Sequence, residues 1–311
     1  MNIYRKAGLW AVVSTYFLIF IGGLVRVSGA GLGCPDWPKC FGRWFPPFNA
    51  SQLPPEFDAA SFNFTLAWIE YINRLVGVFV GFAILLVAIL AIIYFRKNAS
   101  VLIPSLLAAL LVAYQGWQGS QVVASELDPI IVSLHMILAF VIISLLVFAS
   151  LEAHFISSGN RKMGVFPASI PRLLLAGWIF GIVVVLLGTQ VRQQAEIAMH
   201  QYPLLFKTEL IAKLGITDDL HMTVAIFTAI IAISSAWLIL SKAKDVALLI
   251  KQAAWALICI VVLQISFGYS LTMLGLSEIV QLLHLWMASL LMGILLMLYV
   301  SVQKGGKVSH V

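Results

Sequence analysis

Apolar residues run along this chain almost without a charge for about twenty positions at a time, eight times over. The runs lie at about 7–27, 67–95, 101–124, 130–152, 172–193, 217–240, 250–275 and 278–302. Each is near the ~20 residues that a helix needs to cross a bilayer. Lipid offers no partners for unpaired backbone groups, so the runs must be helical. The first follows Arg5 and Lys6 and could pass for a signal peptide. It continues past the usual apolar length and no small-residue cleavage site fits, so it is read as a span.

The polar positions inside these runs repeat. Gln115 and Gln264 are 149 residues apart, and so are His135 and His284. Asn73 and His221 are 148 apart. The first span ends Gly22-Gly23-Leu24-Val25-Arg26 and the fifth ends Gly188-Thr189-Gln190-Val191-Arg192. This is a tandem repeat of four spans, both copies inserted in the same direction. The expected fold is an all-α integral membrane protein, eight transmembrane helices as two pseudo-symmetric four-helix bundles. Residues 1–156 form the N-terminal half, with a long outer loop at 28–66. Residues 171–311 form the C-terminal half, and 157–170 form a cytoplasmic linker.

Composition agrees. The chain is 61% hydrophobic and 10% charged, with mean hydropathy +1.01. A soluble domain could not cover that much apolar surface. Its charges carry the orientation. With eight spans, one side collects Arg5, Lys6, Arg96, Lys97, Arg161, Lys162, Arg172, Lys242, Lys244, Lys251, Lys304 and Lys307. The other side holds Arg26, Lys39, Arg43, Arg192, Lys207 and Lys213. This bias puts both termini in the cytoplasm. The net charge of +6 is then a topology signal and not a nucleic-acid patch. The absence of a transit-peptide extension points to a bacterial plasma membrane.

Histidines within membrane helices cost free energy unless they find partners. His221 and His284 both fall one to two turns from the outer surface. At equal depth in a helix bundle they could grip one heme from both faces, since heme iron accepts two axial histidines. The alternative is that each only hydrogen-bonds inside the bundle. Zinc fits less well, because no third or fourth ligand is evident. In the first half His135 matches His284, but Asn73 stands where His221 would. Asparagine is a poor iron ligand, so a heme there would have one protein axial ligand. Glu70 lies one turn before Asn73, and Arg74 follows it. Glu70 and Arg74, four apart on a helix, could form a structural pair. Alternatively Glu70 addresses a substrate while Arg74 meets a propionate or Glu70 itself.

The loop at 28–66 contains Cys34 and Cys40, then Phe41, Trp44, Phe45 and Phe48. Two nearby cysteines outside the membrane favour a disulfide, structural or redox-active. The Cys-x-x-Cys-His signature of covalent heme is absent. Cys259, within the seventh span, reads as packing, and His200 in the loop 194–216 reads as exposed.

Taken together, Gly22 to Arg26, the Cys34–Cys40 loop with Asp36-Trp37-Pro38, Glu70 with Arg74, Gln115-Gly116 through Gly119, and His135, His221 and His284 resemble the heme A synthase family along nearly the whole chain. That resemblance implies oxidation of the C8 methyl of heme O to the formyl group of heme A, by successive hydroxylations and loss of water. It implies a heme b on His221 and His284, and heme O in the N-terminal half with His135 as axial ligand and Glu70 as the catalytic acid residue. It implies a Cys34–Cys40 disulfide. The implied partners are heme O as substrate, a heme O synthase, an electron donor and the lipid bilayer. A homo-oligomer is compatible with the sequence. The departure is Asn73, where the family pattern has a second histidine. Two other functions remain open: a membrane b-type cytochrome, which has no use for Glu70, and a heme transporter or chaperone, which needs no turnover.

Overall fold

The computed structural model of the protein describes residues 1–159, 163–205, 207–211 and 213–309. Arg161 and Lys162, assigned above to the cytoplasmic side, lie outside these residues, as does the side chain of His200. Eight of the described helices are long and apolar enough to cross a membrane. They are α1 (Asn2–Val27), α2 (Phe64–Phe95), α3 (Ala99–Ala124), α4 (Pro129–Ser157), α5 (Ser169–Gln201), α7 (Ile216–Ser241), α8 (Leu248–Leu274) and α9 (Glu278–Gly305). A short α6 (Lys207–Ile211) precedes α7. The chain is an all-α, multi-pass membrane protein.

Local chemistry sets the helix ends. The Asn63 side chain accepts a hydrogen bond from the amide of Leu66 at 3.1 Å and caps α2. Asp128 accepts from Ile130 and Ile131 at 2.9 and 3.1 Å. Pro129 follows it as the first residue of α4, where a missing N–H costs nothing. Gly275 ends α8 in the left-handed conformation, φ 68°, which is the usual glycine stop. On α2, Phe79 and Phe82 are about two-thirds exposed. Such side chains suit hydrocarbon, not water.

The chain divides into two compact units, and the boundary falls inside α4, between Leu146 and Val147. In the N-terminal unit the Tyr4 and Ser105 hydroxyls share a hydrogen bond of 2.8 Å, and Tyr4 meets Phe95 edge-on at 5.0 Å. The core of the C-terminal unit gathers Leu174, Ala232, Ala236, Ile239, Ile250, Leu257, Leu295 and Leu298. Gly177 lies against Ile231 and Leu295, and small residues of this kind let membrane helices approach closely.

The sequence reading gave no strands, and the structure adds two. Strands β1 (Gly164–Pro167) and β2 (Gly306–Ser309) pair in parallel. Val165 and Lys244 exchange backbone hydrogen bonds at 2.8 and 2.9 Å. The segment expected to be a plain linker is thereby pinned to the ends of α7 and α9. Nearby, Lys304 Nζ meets the buried Glu152 at 3.0 Å.

Candidate functional site

The C-terminal unit brings two histidines together. His221, in the second turn of α7, and His284, in the second turn of α9, have ring centroids 6.5 Å apart with planes at 66°. Two imidazoles bound to opposite sides of one metal ion at ~2.0–2.1 Å would place their centroids about 6–6.5 Å apart. His221 Nδ1 lies 3.2 Å from the carbonyl oxygen of Val184. A carbonyl can only accept, so Nδ1 carries the hydrogen and Nε2 is left as the lone-pair donor. This is the arrangement that orients histidine ligands. His284 Nε2 lies 3.2 Å from Gln264 Nε2, while its Nδ1 is buried with no hydrogen-bond partner among the described residues.

Glycines admit both rings. A Cβ on Gly188 of α5 would stand 3.2 Å from His221 Cε1, and one on Gly268 of α8 would stand 3.4 Å from His284 Cε1. Among the described residues no cluster of three or more His, Cys, Asp or Glu could hold a bare metal ion. Two imidazoles suffice for heme, whose macrocycle brings four nitrogens and leaves two axial positions. The ring spacing and the His221 tautomer therefore fit a heme; a heme held by His284 Nε2 would take the place of its contact with the Gln264 amide. One turn beyond Gly188, Arg192 Nη1 donates to Gln281 Oε1 at 2.6 Å and Nη2 pairs with Glu196 at 2.9 Å.

In the N-terminal unit, His135 stands in the second turn of α4. Gln115 of α3 donates to its backbone carbonyl at 2.9 Å, and Gly119 faces its ring, 3.8 Å from a would-be Cβ. His135 Nδ1 is buried and has no partner among the described residues. Asn73 of α2 lies against Gly22 of α1, again at 3.8 Å. Its Oδ1 is likewise buried and without a partner. Arg26 Nη1 approaches Met136 Sδ at 3.8 Å, joining α1 to α4 beside His135.

Glu70, one turn before Asn73, is buried and held at both oxygens. Arg74 Nη2 donates to Oε1 at 2.5 Å, and the backbone amide of Cys34 donates to Oε2 at 2.8 Å. The terminal nitrogens of Arg74 also reach the loop between α1 and α2: Nη1 to the carbonyls of Asp36 at 2.9 Å and Lys39 at 2.7 Å, Nη2 also to that of Cys34 at 3.4 Å. Trp37 lies against the guanidinium, 4.6 Å from ring centroid to Cζ.

Cys34 and Cys40 form a disulfide. The Asp36 carboxylate accepts from the amides of Phe41 and Gly42 at 2.6 and 2.9 Å, and Gly42 supplies the left-handed turn, φ 73°. Phe41 packs edge-on against Phe57 and Phe62. One guanidinium thus ties the carboxylate of Glu70 to a disulfide-closed loop.

Four glycines have a role that the sequence alone did not explain: Gly22, Gly119, Gly188 and Gly268. Each faces a side chain on the next spanning helix, and at Gly188 alone a Cβ would be tighter than ordinary contact; at Gly22, Gly119 and Gly268 it would just touch its neighbour.

Comparison with known proteins bears on this arrangement. The COX15-CtaA family, described as a cytochrome oxidase assembly protein, matches residues 6–296.

The chain belongs to that family.

The heme A synthase of Shewanella oneidensis is 31% identical over 183 residues, covering 54% of this chain and 54% of that protein. The heme A synthase of Ehrlichia canis is 28% identical, covering 47% and 46%. That of Rickettsia akari is 30% identical, covering 44% and 48%. The chain spans about half the length of the curated relatives it matches. The COX15-CtaA match is the broader one, and its residues include every ligand candidate in both halves, Asn73 among them.

Proposed function

We propose that this chain is a heme A synthase, an oxidoreductase that converts the C8 methyl of heme O to the formyl group of heme A for cytochrome oxidase. The observation that carries the reading is an asymmetry between the halves. One half has two facing imidazoles; the other has one buried imidazole, and a carboxylate on another helix that Arg74 and the Cys34 amide lock in place. A cytochrome that only passes electrons has no use for the Glu70–Arg74–Cys34 arrangement, and a heme carrier has no use for the paired histidines.

In this reading His221 and His284 hold a heme b. When bound, heme b supplies one-electron transfer from a reductant to the other half. Gly188 and Gly268 make room for the two rings, and Val184 keeps the His221 Nε2 lone pair available. His135 binds the iron of the substrate, heme O. Glu70 stands at the substrate edge with its position fixed by Arg74 and the Cys34 amide. Its negative charge stabilises positive charge developing at the methyl carbon, and its oxygens offer a place for a proton. Each hydroxylation replaces one C–H of the methyl group by C–OH with dioxygen as the oxidant: one oxygen atom enters the C–H bond, and the other leaves as water with two protons and the two electrons that the reductant delivers. Loss of water from the resulting geminal diol leaves the aldehyde. The loop closed by Cys34 and Cys40 covers this end of the site and limits access of water.

The reading carries a topology. The charge bias supports cytoplasmic termini in a bacterial plasma membrane, with both heme sites near the outer face. Heme O arrives from a heme O synthase, and an electron donor meets the C-terminal half.

The test is heme extraction and chromatography after co-expression with a heme O synthase. Heme A is the expected product, with heme b retained in the purified protein. Heme O left unconverted in cells that hold the folded, heme b-loaded chain would refute the assignment.

A further inference from the structure

Four residues in this chain occupy one kind of place. Each stands on the second helix of a pair and lies against a glycine on the spanning helix before it: His135 against Gly119, His221 against Gly188, His284 against Gly268, and Asn73 against Gly22. An acid precedes two of them by three residues, Asp218 before His221 and Glu70 before Asn73. Asn73 is therefore the structural counterpart of His221, a carboxamide in an imidazole's place.

The carboxamide oxygen of Asn73 is not used by the protein. Asn73 Oδ1 is buried and has no hydrogen-bond partner among the described residues, whereas His221 Nδ1 is engaged by Val184. Burying an unpaired amide oxygen costs free energy unless something else pairs with it. A carboxamide is a weak ligand for heme iron, but it offers both N–H donors and an oxygen acceptor. An open axial position beside a polar group favours binding of small ligands, and two filled axial positions favour electron transfer.

Resting on the reading above, we propose that the N-terminal site holds its heme through His135 as the single protein axial ligand, and that the Asn73 carboxamide faces the opposite axial position as a hydrogen-bond partner for a small exogenous ligand. The C-terminal site is closed by two histidines. The two halves then differ in what their irons admit: one only electrons, the other also a diatomic or water molecule.

The experiment uses full-length protein in detergent, loaded with hemin to two hemes per chain and reduced, with carbon monoxide as the probe. Carbon monoxide should bind one heme of the two. Asn73→His should abolish it and convert the second heme to a low-spin spectrum. Asn73→Ala should keep carbon monoxide binding but shift the C–O stretching frequency, the signature of a lost polar neighbour. Monodisperse elution of each variant, with the C-terminal heme retained, separates these effects from misfolding. Two low-spin hemes and no carbon monoxide binding in the unaltered protein would overturn the proposal, as would failure to take up a second heme. An unchanged stretching frequency in Asn73→Ala would overturn the role of the carboxamide. Heme A production is scored separately: one protein-bound carbon monoxide without heme A would sink the synthase reading and leave this ligation in place.

Discussion

Gly188 lies directly under the imidazole of His221: a Cβ at that position would stand 3.2 Å from Cε1 and 3.6 Å from Nδ1. Few real Cβ atoms come so near a neighbour, so the ring must give way to any side chain placed there. Gly188→Ala should tilt His221 slightly and keep most of the heme. Gly188→Val should displace the ring and lower heme affinity by ~10-fold or more, the scale of disturbing a ligand's support. The heme-to-protein ratio of purified protein measures this. Gly116→Ala is the control, because nothing lies within 4 Å of a Cβ there. Full heme occupancy in Gly188→Val would show that the ring need not sit where the structure puts it.

The paired histidines make a spectroscopic prediction. Protein purified from cells should show a low-spin b-type heme. His284→Ala should lose or destabilise it, and His221→Ala/His284→Ala should lack it. An unchanged low-spin spectrum in the double variant would place the heme elsewhere.

Glu70 and Arg74 predict a separation of stability from chemistry. Arg74 donates to three backbone carbonyls and to Glu70 at once, which the single ammonium of lysine cannot match in planar geometry. Arg74→Ala leaves the Glu70 carboxylate buried without its partner, a loss worth about 3–5 kcal/mol for a buried pair. The N-terminal unit should melt earlier, read by tryptophan fluorescence, with the C-terminal heme spectrum intact. Glu70→Gln keeps the shape of the side chain and should abolish heme A formation while leaving that spectrum in place. Undiminished heme A from Glu70→Gln would reduce the residue to a structural partner of Arg74.

The outer loop predicts a redox dependence of its own order. Peptide mapping without reduction should find Cys34 joined to Cys40. Cys34→Ser/Cys40→Ser should make residues 28–63 more sensitive to protease and lower heme A yield, because the Cys34 amide is among the groups that hold Glu70. Equal protease resistance with and without the bond would mean that the hydrogen bonds alone keep the loop folded.

Much of this architecture is written in the sequence, because membrane helices obey strong rules. A bilayer fixes their length, and lipid forbids unpaired backbone. Seven of the eight apolar runs match the described helices to within a few residues at each end. The eighth, α5, continues to Gln201 instead of stopping near 193. Polar residues suggested an exit there, but the helix carries on, with Arg192 and Glu196 pairing one turn apart. The strands β1 and β2 gave no signal; four residues of Gly-Val-Phe-Pro show no alternation worth reading. At the site, the histidines and Glu70 stood out as ionisable groups in apolar surroundings. What stayed hidden were the groups without a telling side chain: the carbonyls of Cys34, Asp36 and Lys39 around Arg74, the carbonyl of Val184 behind His221, and four glycines whose meaning lies in their neighbours.

Those glycines also say how the chain tolerates change. Sixteen positions separate Gly119 from His135, and sixteen separate Gly268 from His284. Gly22 and Asn73 are fifty-one apart, while Gly188 and His221 are thirty-three apart. All four pairs nonetheless meet. The surplus in the first half is absorbed by the outer connection, whose closure costs little more for being longer. The loop is thus an insert whose size the ligand positions do not feel. Grafting the shorter connector of the second half in its place would leave Gly22 and Asn73 in register, yet remove the disulfide and the carbonyls that Arg74 grips. Under the proposed function, holding a prosthetic group and acting on one would then be traits that this fold can gain or lose one at a time.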